Sequence, residues 1–529
     1  MLRRLVILLV AAVAFCPAFA SGQPTPLWQR VYNGPENHSD NPVAVGLDAA
    51  GNVYVGATSF GFATNYDFTV LKYAPTGTLL WERHHSLDFD ELHDIAVTDA
   101  GVVYAVGYSF EVGGGQSLVT IRYETDGTES WTQLDPIGSS SPGALRARVV
   151  VASDGSVVVG QTENDAFEVI VRESDGSLRW TNTFAGTPAT AVQFDAIAVD
   201  AAMQVYVTGR RLAIPGGGLT AKFDALGSVV WDHTVGGAFG STLGPSTLVL
   251  DSFGRPIATH MMETACGVFE SRTVRYSTDG VLEWETEYTS PAIFCGSFEP
   301  RASAIAPDDS VWITGFGEHV DAADFFDCVT LRIREGTIEA STPFDFGSAV
   351  DVGRAVGVDA TGRATVLADH QIGASIPRGT LLHYAPDGTL EWSFPLLPVG
   401  IVYRGTALAQ RNGRIVTLAQ DAINGQEDLL IDVFSLPNLT PFRRGDCGND
   451  GMLDLSDAIA ALSALFDPVG SADCPSACDA NDDGGFDISD PISILAHLFS
   501  GGAAPSAPYP DCGVDPTPDA LTCDASSCP

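Results

Sequence analysis

Residues 46–81, GLDAAGNVYVGATSFGFATNYDFTVLKYAPTGTLLW, decide the fold. Apolar or alternating runs of strand length (NVYVGATS, DFTVLKY, LLW) are separated by Asp-Ala-Ala-Gly and Ala-Pro-Thr-Gly, which carry turn chemistry. Outward from this stretch, the phrase Gly-x-x-x-Trp that ends it at Trp81 returns at Trp131, Trp180, Trp231, Trp284 and Trp392, with a degraded copy, GTIEA, ending at Ala340. The spacing stays between 49 and 56 residues. The opening phrase, an Asp- and Gly-containing turn followed by an apolar strand, starts at Gly46, Val97, Val151, Ala198, Val249, Ala306, Gly357 and Ala407, which makes eight copies.

Four short strands repeated every ~50 residues are the signature of propeller blades. One such sheet cannot bury both of its faces, so the units must stack around an axis, with the recurring Trp and Val/Tyr positions between them. The last copy lacks its own Gly-x-x-x-Trp strand, while Trp28 in LWQRVY precedes the first copy without a unit of its own. Each piece completes the other. The sequence therefore predicts a mainly β fold, an eight-bladed β-propeller closed by the N-terminal strand, and closure removes sheet edges that would invite aggregation.

The repeat AVD-x-x-G-NVYV-x-G followed by D-x-x-x-KY-x-x-x-G-x-x-x-W resembles the bacterial secreted β-propeller repeat (SBBP-type) family over roughly residues 27–436. That resemblance implies an extracellular scaffold or binding module, with a carbohydrate or protein ligand for the propeller and no catalytic motif in the repeat. The blades are also similar to those of quinoprotein alcohol dehydrogenases, but Tyr73, Tyr123 and Phe223 stand where that family tends to have Asp, and no two cysteines are adjacent.

Composition narrows the function classes. The chain has 529 residues with 66 acids against 27 bases, a formal net charge of −39, so phosphate backbones and anionic membrane surfaces are poor partners. Arg3 and Arg4, the apolar run LVILLVAAVAF and the AFA–Ser21 junction read as a secretory signal over residues 1–20. No later apolar run reaches the ~20 residues of a membrane span. An exported chain, secreted or held at the cell surface, follows from that reading, with residues 21–440 as propeller and 441–529 as a separate module.

The module differs in composition from what precedes it. Six cysteines (Cys447, Cys474, Cys478, Cys512, Cys523, Cys528) and 15 Asp crowd it, with no Glu and two Arg. Six cysteines in a short exported segment predict up to three disulfides of open connectivity. Of the propeller cysteines, Cys266–Cys295 is the expected pair, with Cys328 left over on a loop and Cys295–Cys328 as the alternative.

DANDDGGFDISD (Asp479–Asp490) sets Asp479, Asn481, Asp483, Asp487 and Asp490 at positions 1, 3, 5, 9 and 12 of a calcium loop, with Gly484 at the sharp turn and the carbonyl of Gly485 at position 7. A hard cation takes six to eight oxygens, and this pattern supplies them. DCGNDGMLDLSD (Asp446–Asp457) repeats it with Asp446, Asp450, Asp454, Asp457 and the Met452 carbonyl, but Gly448 occupies position 3 and Asn449 is displaced by one. Two Ca²⁺ sites are expected, the second more complete. Each loop runs into a helix with Ser456 or Ser489 as N-cap, and Ile459, Leu462 and Phe466 share one helical face, as do Ile492, Leu495 and Phe499.

Two loop–helix units 33 residues apart, ending in Asp rather than Glu, resemble a duplicated dockerin. The resemblance implies a cohesin-like partner or cell-surface scaffold and a link to extracellular polysaccharide degradation. The reading is a non-catalytic, calcium-binding assembly protein. Its rivals are a propeller glycoside hydrolase or polysaccharide lyase carrying a dockerin, and a quinoprotein-like dehydrogenase. The cluster HHSLDFDELHD (84–94) reads as a solvated loop between blades, with a transition-metal site as its alternative, and no Gly-x-Ser-x-Gly or His-Glu-x-x-His motif occurs.

Overall fold

A computed structural model describes residues 23–528 except 35–37, 62–64, 88, 111–114, 139–144, 187–189, 213–215, 237–244, 264–268, 291–296, 319–325, 347–349, 373–375, 397–401, 424–425, 437–441, 467–471, 514, 516–520, 522 and 524–525. Strands of four to ten residues form eight four-stranded antiparallel sheets. In the first blade, Asp40–Leu47, Val53–Gly61, Asn65–Tyr73 and Leu79–His85 pair in chain order. Six more blades repeat this meander. In the eighth, Tyr403–Arg411, Arg414–Ile423 and Gln426–Ser435 receive the N-terminal strand Thr25–Tyr32 as their fourth member, in the register Trp28↔Val433 and Val31↔Leu430. The first strands of the eight blades touch one another in a closed circle around the axis.

The structure explains why Gly-x-x-x-Trp is the repeating phrase. Five tryptophans lie on the turn glycine of the next blade: Cβ atoms built on Gly77, Gly127, Gly176, Gly227 and Gly280 would sit 2.6–2.9 Å from the rings of Trp28, Trp81, Trp131, Trp180 and Trp231. These glycines also hold φ between +80° and +88°, which other residues adopt only under strain. Each of the five indoles donates its N–H to the carbonyl two residues before that glycine, as in Trp28 Nε1 to Pro75 O at 2.9 Å and Trp81 Nε1 to Thr125 O at 3.1 Å. Trp28, the residue without a unit of its own, thus pins the eighth blade to the first. Apolar clusters fill the spaces between blades; one joins Trp28, Tyr32, Val55 and Leu71 to Val416, Leu429 and Ile431.

Several expectations change. Cys328 stands inside a third strand (Asp327–Arg334), not on a loop, and is a buried free thiol, so it does not pair with Cys295. The Cys266–Cys295 pair and the signal segment lie outside the described residues. The 84–94 cluster is mostly strand: His84 and His85 end one strand, and Phe89–Val97 is the next. His84 contacts Thr69 and Glu82, whereas His93 is largely buried, and burial drops its pKa to about 4. These side chains do not converge because alternation sends strand neighbours to opposite faces. Asp88 lies outside the described residues.

Beyond the propeller, α1 (Leu455–Phe466), α2 (Pro475–Cys478) and α3 (Ser489–Ser500) form a small helical unit. Three disulfides tie it, Cys447–Cys478, Cys474–Cys523 and Cys512–Cys528. No helix among the described residues is long and apolar enough to cross a membrane.

Candidate metal centre

The two Asp-rich loops share one backbone course. Positions 4 and 6 have positive φ in both: Asn449 and Gly451 in the first, Asp482 and Gly484 in the second. Position 1 accepts backbone N–H groups in both. Asp446 takes those of Asp450 (3.0 Å) and Gly451 (2.9 Å), and Asp479 takes those of Asp482 (2.8 Å), Asp483 (3.3 Å) and Gly484 (3.1 Å). The position-12 carboxylate bridges positions 3 and 9: Asp457 accepts from Gly448 and Asp454, both at 2.8 Å, and Asp490 from Asn481 at 3.4 Å and Asp487 at 2.8 Å. Each loop is thereby folded around its own first and last carboxylates.

These four anchoring carboxylates, Asp446, Asp457, Asp479 and Asp490, are buried, and they face further acids. Burial pushes Asp490 up to about 6, backbone N–H bonds oppose this, and the Asp479 and Asp483 charges reinforce it. Asp457 is raised in the same way, with Asp446 and Asp450 as its like-charged neighbours. Asp483, Asp450, Asp454, Asp487 and Asn481, with the carbonyls of Met452 and Gly485, complete an all-oxygen donor set. That chemistry fits a hard cation such as Ca²⁺. The loop carboxylates nevertheless spend oxygens on backbone N–H groups. Among the described residues, the acids drawn within 4.8 Å of one another are instead Asp327, Asp345 and Asp351, where blades six and seven meet.

Two structural expectations need correction. The helices are not capped by Ser456 and Ser489. Asp454 Oδ1 accepts the Ser456 N–H and Asp487 Oδ1 the Ser489 N–H, both at 2.7 Å, so the position-9 acid takes a backbone N–H at the start of each helix, while Ile488 stands at the N-cap of α3. The proposed apolar faces do not form the core either. Ile459, Phe466, Ile492 and Phe499 are more than half exposed, and Ala458 of α1 packs with Ala480 of the second loop and Ile494 of α3, while Ala461 is buried. Leu453, Leu495 and Leu498 pack against this cluster, so of the expected faces Leu495 contributes to the core while the isoleucines and phenylalanines are left outside.

Two functional side chains escape a reading by spacing. Arg444 is fully buried and holds the second loop. It bonds to the carbonyls of Ala507, Ser476 and Asp479 and pairs with Asp482 at 2.9 Å and Asp515 at 2.8 Å. The module has only two arginines, Arg443 and Arg444, in an acidic stretch, and that scarcity is the available signal. Ser527, near the chain end, donates its hydroxyl to Asp446 Oδ2 at 2.9 Å, and its N–H is accepted by Asn449 Oδ1. It covers the loop whose position 3 is Gly448.

Eight repeat-built blades in a closed ring define a β-propeller of the PQQ-like repeat class. The chain belongs to the family described as "Outer membrane protein assembly factor BamB" (PQQ_2), whose model matches residues 26–210 and 66–315, together more than half of the chain. Among solved structures, a europium-containing methanol dehydrogenase is similar with a TM-score of 0.50 at 9% identity, over 78% of this chain and 93% of that one. The polysaccharide lyase Uly1 is similar with a TM-score of 0.39 at 10% identity, over 80% and 94%. At these identities the likeness concerns the fold alone. No curated protein matches the chain.

Proposed function

We propose that the chain is an exported, non-catalytic assembly protein: an SBBP-like propeller scaffold joined to a dockerin-like module that binds two Ca²⁺ and docks onto a cohesin-like protein or surface scaffold. The observation that carries this reading is the duplication in the module. Two loops 33 residues apart repeat the same positive-φ positions and the same carboxylate-to-backbone bonds. Three exposed apolar residues repeat at the same interval, Leu455 with Ile488, Ile459 with Ile492, and Phe466 with Phe499. A pair of equivalent apolar faces suits a protein partner.

The ligands are Asp446, Asp450, Asp454, Asp457 and the Met452 carbonyl in the first loop, and Asp479, Asn481, Asp483, Asp487, Asp490 and the Gly485 carbonyl in the second. A divalent cation would offset the like charges that add to burial in raising Asp457 and Asp490. Extracellular modules of this kind bind Ca²⁺ at roughly 10⁻⁴–10⁻³ M. The signal over 1–20 and the disulfides support an oxidising location outside the cytoplasm.

The test is calcium titration of the full chain, followed by limited proteolysis of the C-terminal module. Protection that rises with Ca²⁺ and vanishes in Asp479→Ala supports the reading, and protection indifferent to the metal refutes it. Capture of a cohesin-like protein from the native secretome that is lost with chelator, or in Ile459→Asp/Ile492→Asp, addresses the docking half.

A further inference from the structure

Basic residues are scarce in a chain of net charge −39, yet four arginines gather at one end of the propeller axis. Arg148, Arg301, Arg354 and Arg404 all occur within the first four residues of innermost strands: Ala147–Val151, Phe298–Ile305, Asp351–Val358 and Tyr403–Arg411. All four are exposed, although these strands are covered by neighbouring blades on both faces and by the second strand on their outer edge. The uncovered direction is the axial opening. Arg301 and Arg354 are each the extra residue of a β-bulge, between Pro300 and Ala302 and between Gly353 and Ala355. Bulges re-aim side chains at rims and sites.

Arg146, Arg148, Arg301 and Arg354 lie near enough to influence one another. Arg146, beside Arg148 in the third blade, has its pKa lowered by burial; Asp195 opposes this, and Arg210, Arg148 and Arg301 of the sixth blade add to it. Arg301 in turn feels Arg354. Acids share the rim and one edge of each guanidinium: Arg146 pairs with Asp195 at 3.0 Å, Arg301 with Glu299 at 2.6 Å, Arg354 with Asp369 at 2.9 Å and Arg404 with Glu427 at 3.8 Å. Glu91 lies at the same level, and Arg148 donates to the His93 carbonyl at 3.0 Å. A guanidinium has five N–H donors in a planar fork, so one partner leaves donors for a second carboxylate.

The same end of the propeller carries an aromatic ladder. His38, Phe60, Tyr66, Phe89 and Phe110 follow one another with ring centroids 4.7, 5.4, 5.3 and 5.6 Å apart. All remain partly exposed. Phe60 and Phe110 lie at the ends of second strands, and Phe89 heads the inner strand of the second blade, so the ladder shares the rim from which the arginines project.

We propose that this rim binds an acidic saccharide, its carboxylates held by Arg148, Arg301, Arg354 and Arg404 and its sugar rings lying on Phe60, Tyr66 and Phe89. Planar carboxylates match the guanidinium forks, and the apolar faces of sugar rings match half-exposed aromatic faces. Each rim guanidinium keeps donors beyond those its own carboxylate takes, so the mouth offers anion-binding groups that the rest of the acidic surface lacks.

The test uses the full chain and calorimetric titration with tri-galacturonate and tri-mannuronate, and with galactotriose and citrate as neutral and non-sugar controls. At least one oligouronate is expected to bind ten times more tightly than either control. Arg301→Ala/Arg354→Ala is expected to weaken it tenfold or more and Tyr66→Ala threefold or more, with unchanged thermal midpoints, while Arg301→Lys/Arg354→Lys retains part of the affinity. Chelator is expected to leave binding unchanged, which separates this site from the C-terminal loops. Binding of neither oligouronate, equal binding of citrate, or full affinity in the folded double-alanine variant overturns the proposal.

Discussion

The propeller and the C-terminal module reach order by opposite routes. The propeller repeats one modest device, an indole laid on the next blade's glycine, so that no single contact carries the ring. The module concentrates its order in single groups: three disulfides, two self-bonded loops and one arginine without surface exposure. Repetition distributes the cost of a defect among nearest neighbours. A keystone does not, because removing one partner of a buried ion network leaves its other charges uncompensated.

The largest contrast is expected from Arg444→Ala. It strands Asp482, Asp515 and three carbonyls and is expected to cost the module about 3–5 kcal/mol. Limited proteolysis would then cut after residue 441 while the propeller resists. Equal resistance of both regions would remove the keystone argument.

Next is the seam that closes the ring. Asp432 accepts a 2.6 Å bond from Gln29 Nε2, and its other oxygen has no hydrogen-bond partner among the described residues. Burial raises it to about 7, the Gln29 bond opposes the rise and Asp421 adds to it. A carboxyl with a raised folded pKa favours the folded state when protonated, so stability falls as pH climbs from about 4 to about 7. Asp432→Asn is expected to gain about 4 kcal/mol over the parent at pH 8 and almost nothing at pH 4. A thermal melt at each pH checks this, and a pH-independent gain would deny the titration.

Smaller effects separate the repeated contact from backbone strain. Gly127→Ala puts a methyl 2.8 Å from the Trp81 ring at a φ of +80°, whereas Gly155 has φ +85° with nothing within 4 Å. The first is expected to cost about 2–3 kcal/mol and the second about 1 kcal/mol, measured as denaturation midpoints. Similar costs would mean that the Trp–Gly contact adds nothing beyond backbone strain.

The sequence made the propeller readable because its decisive contact joins positions that recur at a fixed interval. Trp81 and Gly127 are visible as a pattern before their touching is known. The arginine rim was harder to read: Arg148, Arg301, Arg354 and Arg404 do fall at multiples of the blade interval, but only half of the blades carry them and no shared phrase surrounds them. In the module, the loops were readable position by position. The helix faces were not, since Ala458 and Ala461 fall between the larger residues that periodicity weights most heavily. Cys328 was placed on a loop because the strand boundary came one or two residues earlier than turn chemistry suggested, a usual margin for such boundaries.

The seam between Thr25–Tyr32 and the final strand also fixes an order in time. Gln29 and its partner Asp432 are 403 residues apart, so the strand made among the first waits for one made near the end. At 5–20 residues per second of synthesis that interval is ~20–80 s. Throughout it Trp28 can settle on Gly77 of the first blade but has no sheet to join. The nascent chain therefore carries one unpaired edge strand throughout that interval, and the segment that ends the wait directly precedes the C-terminal module.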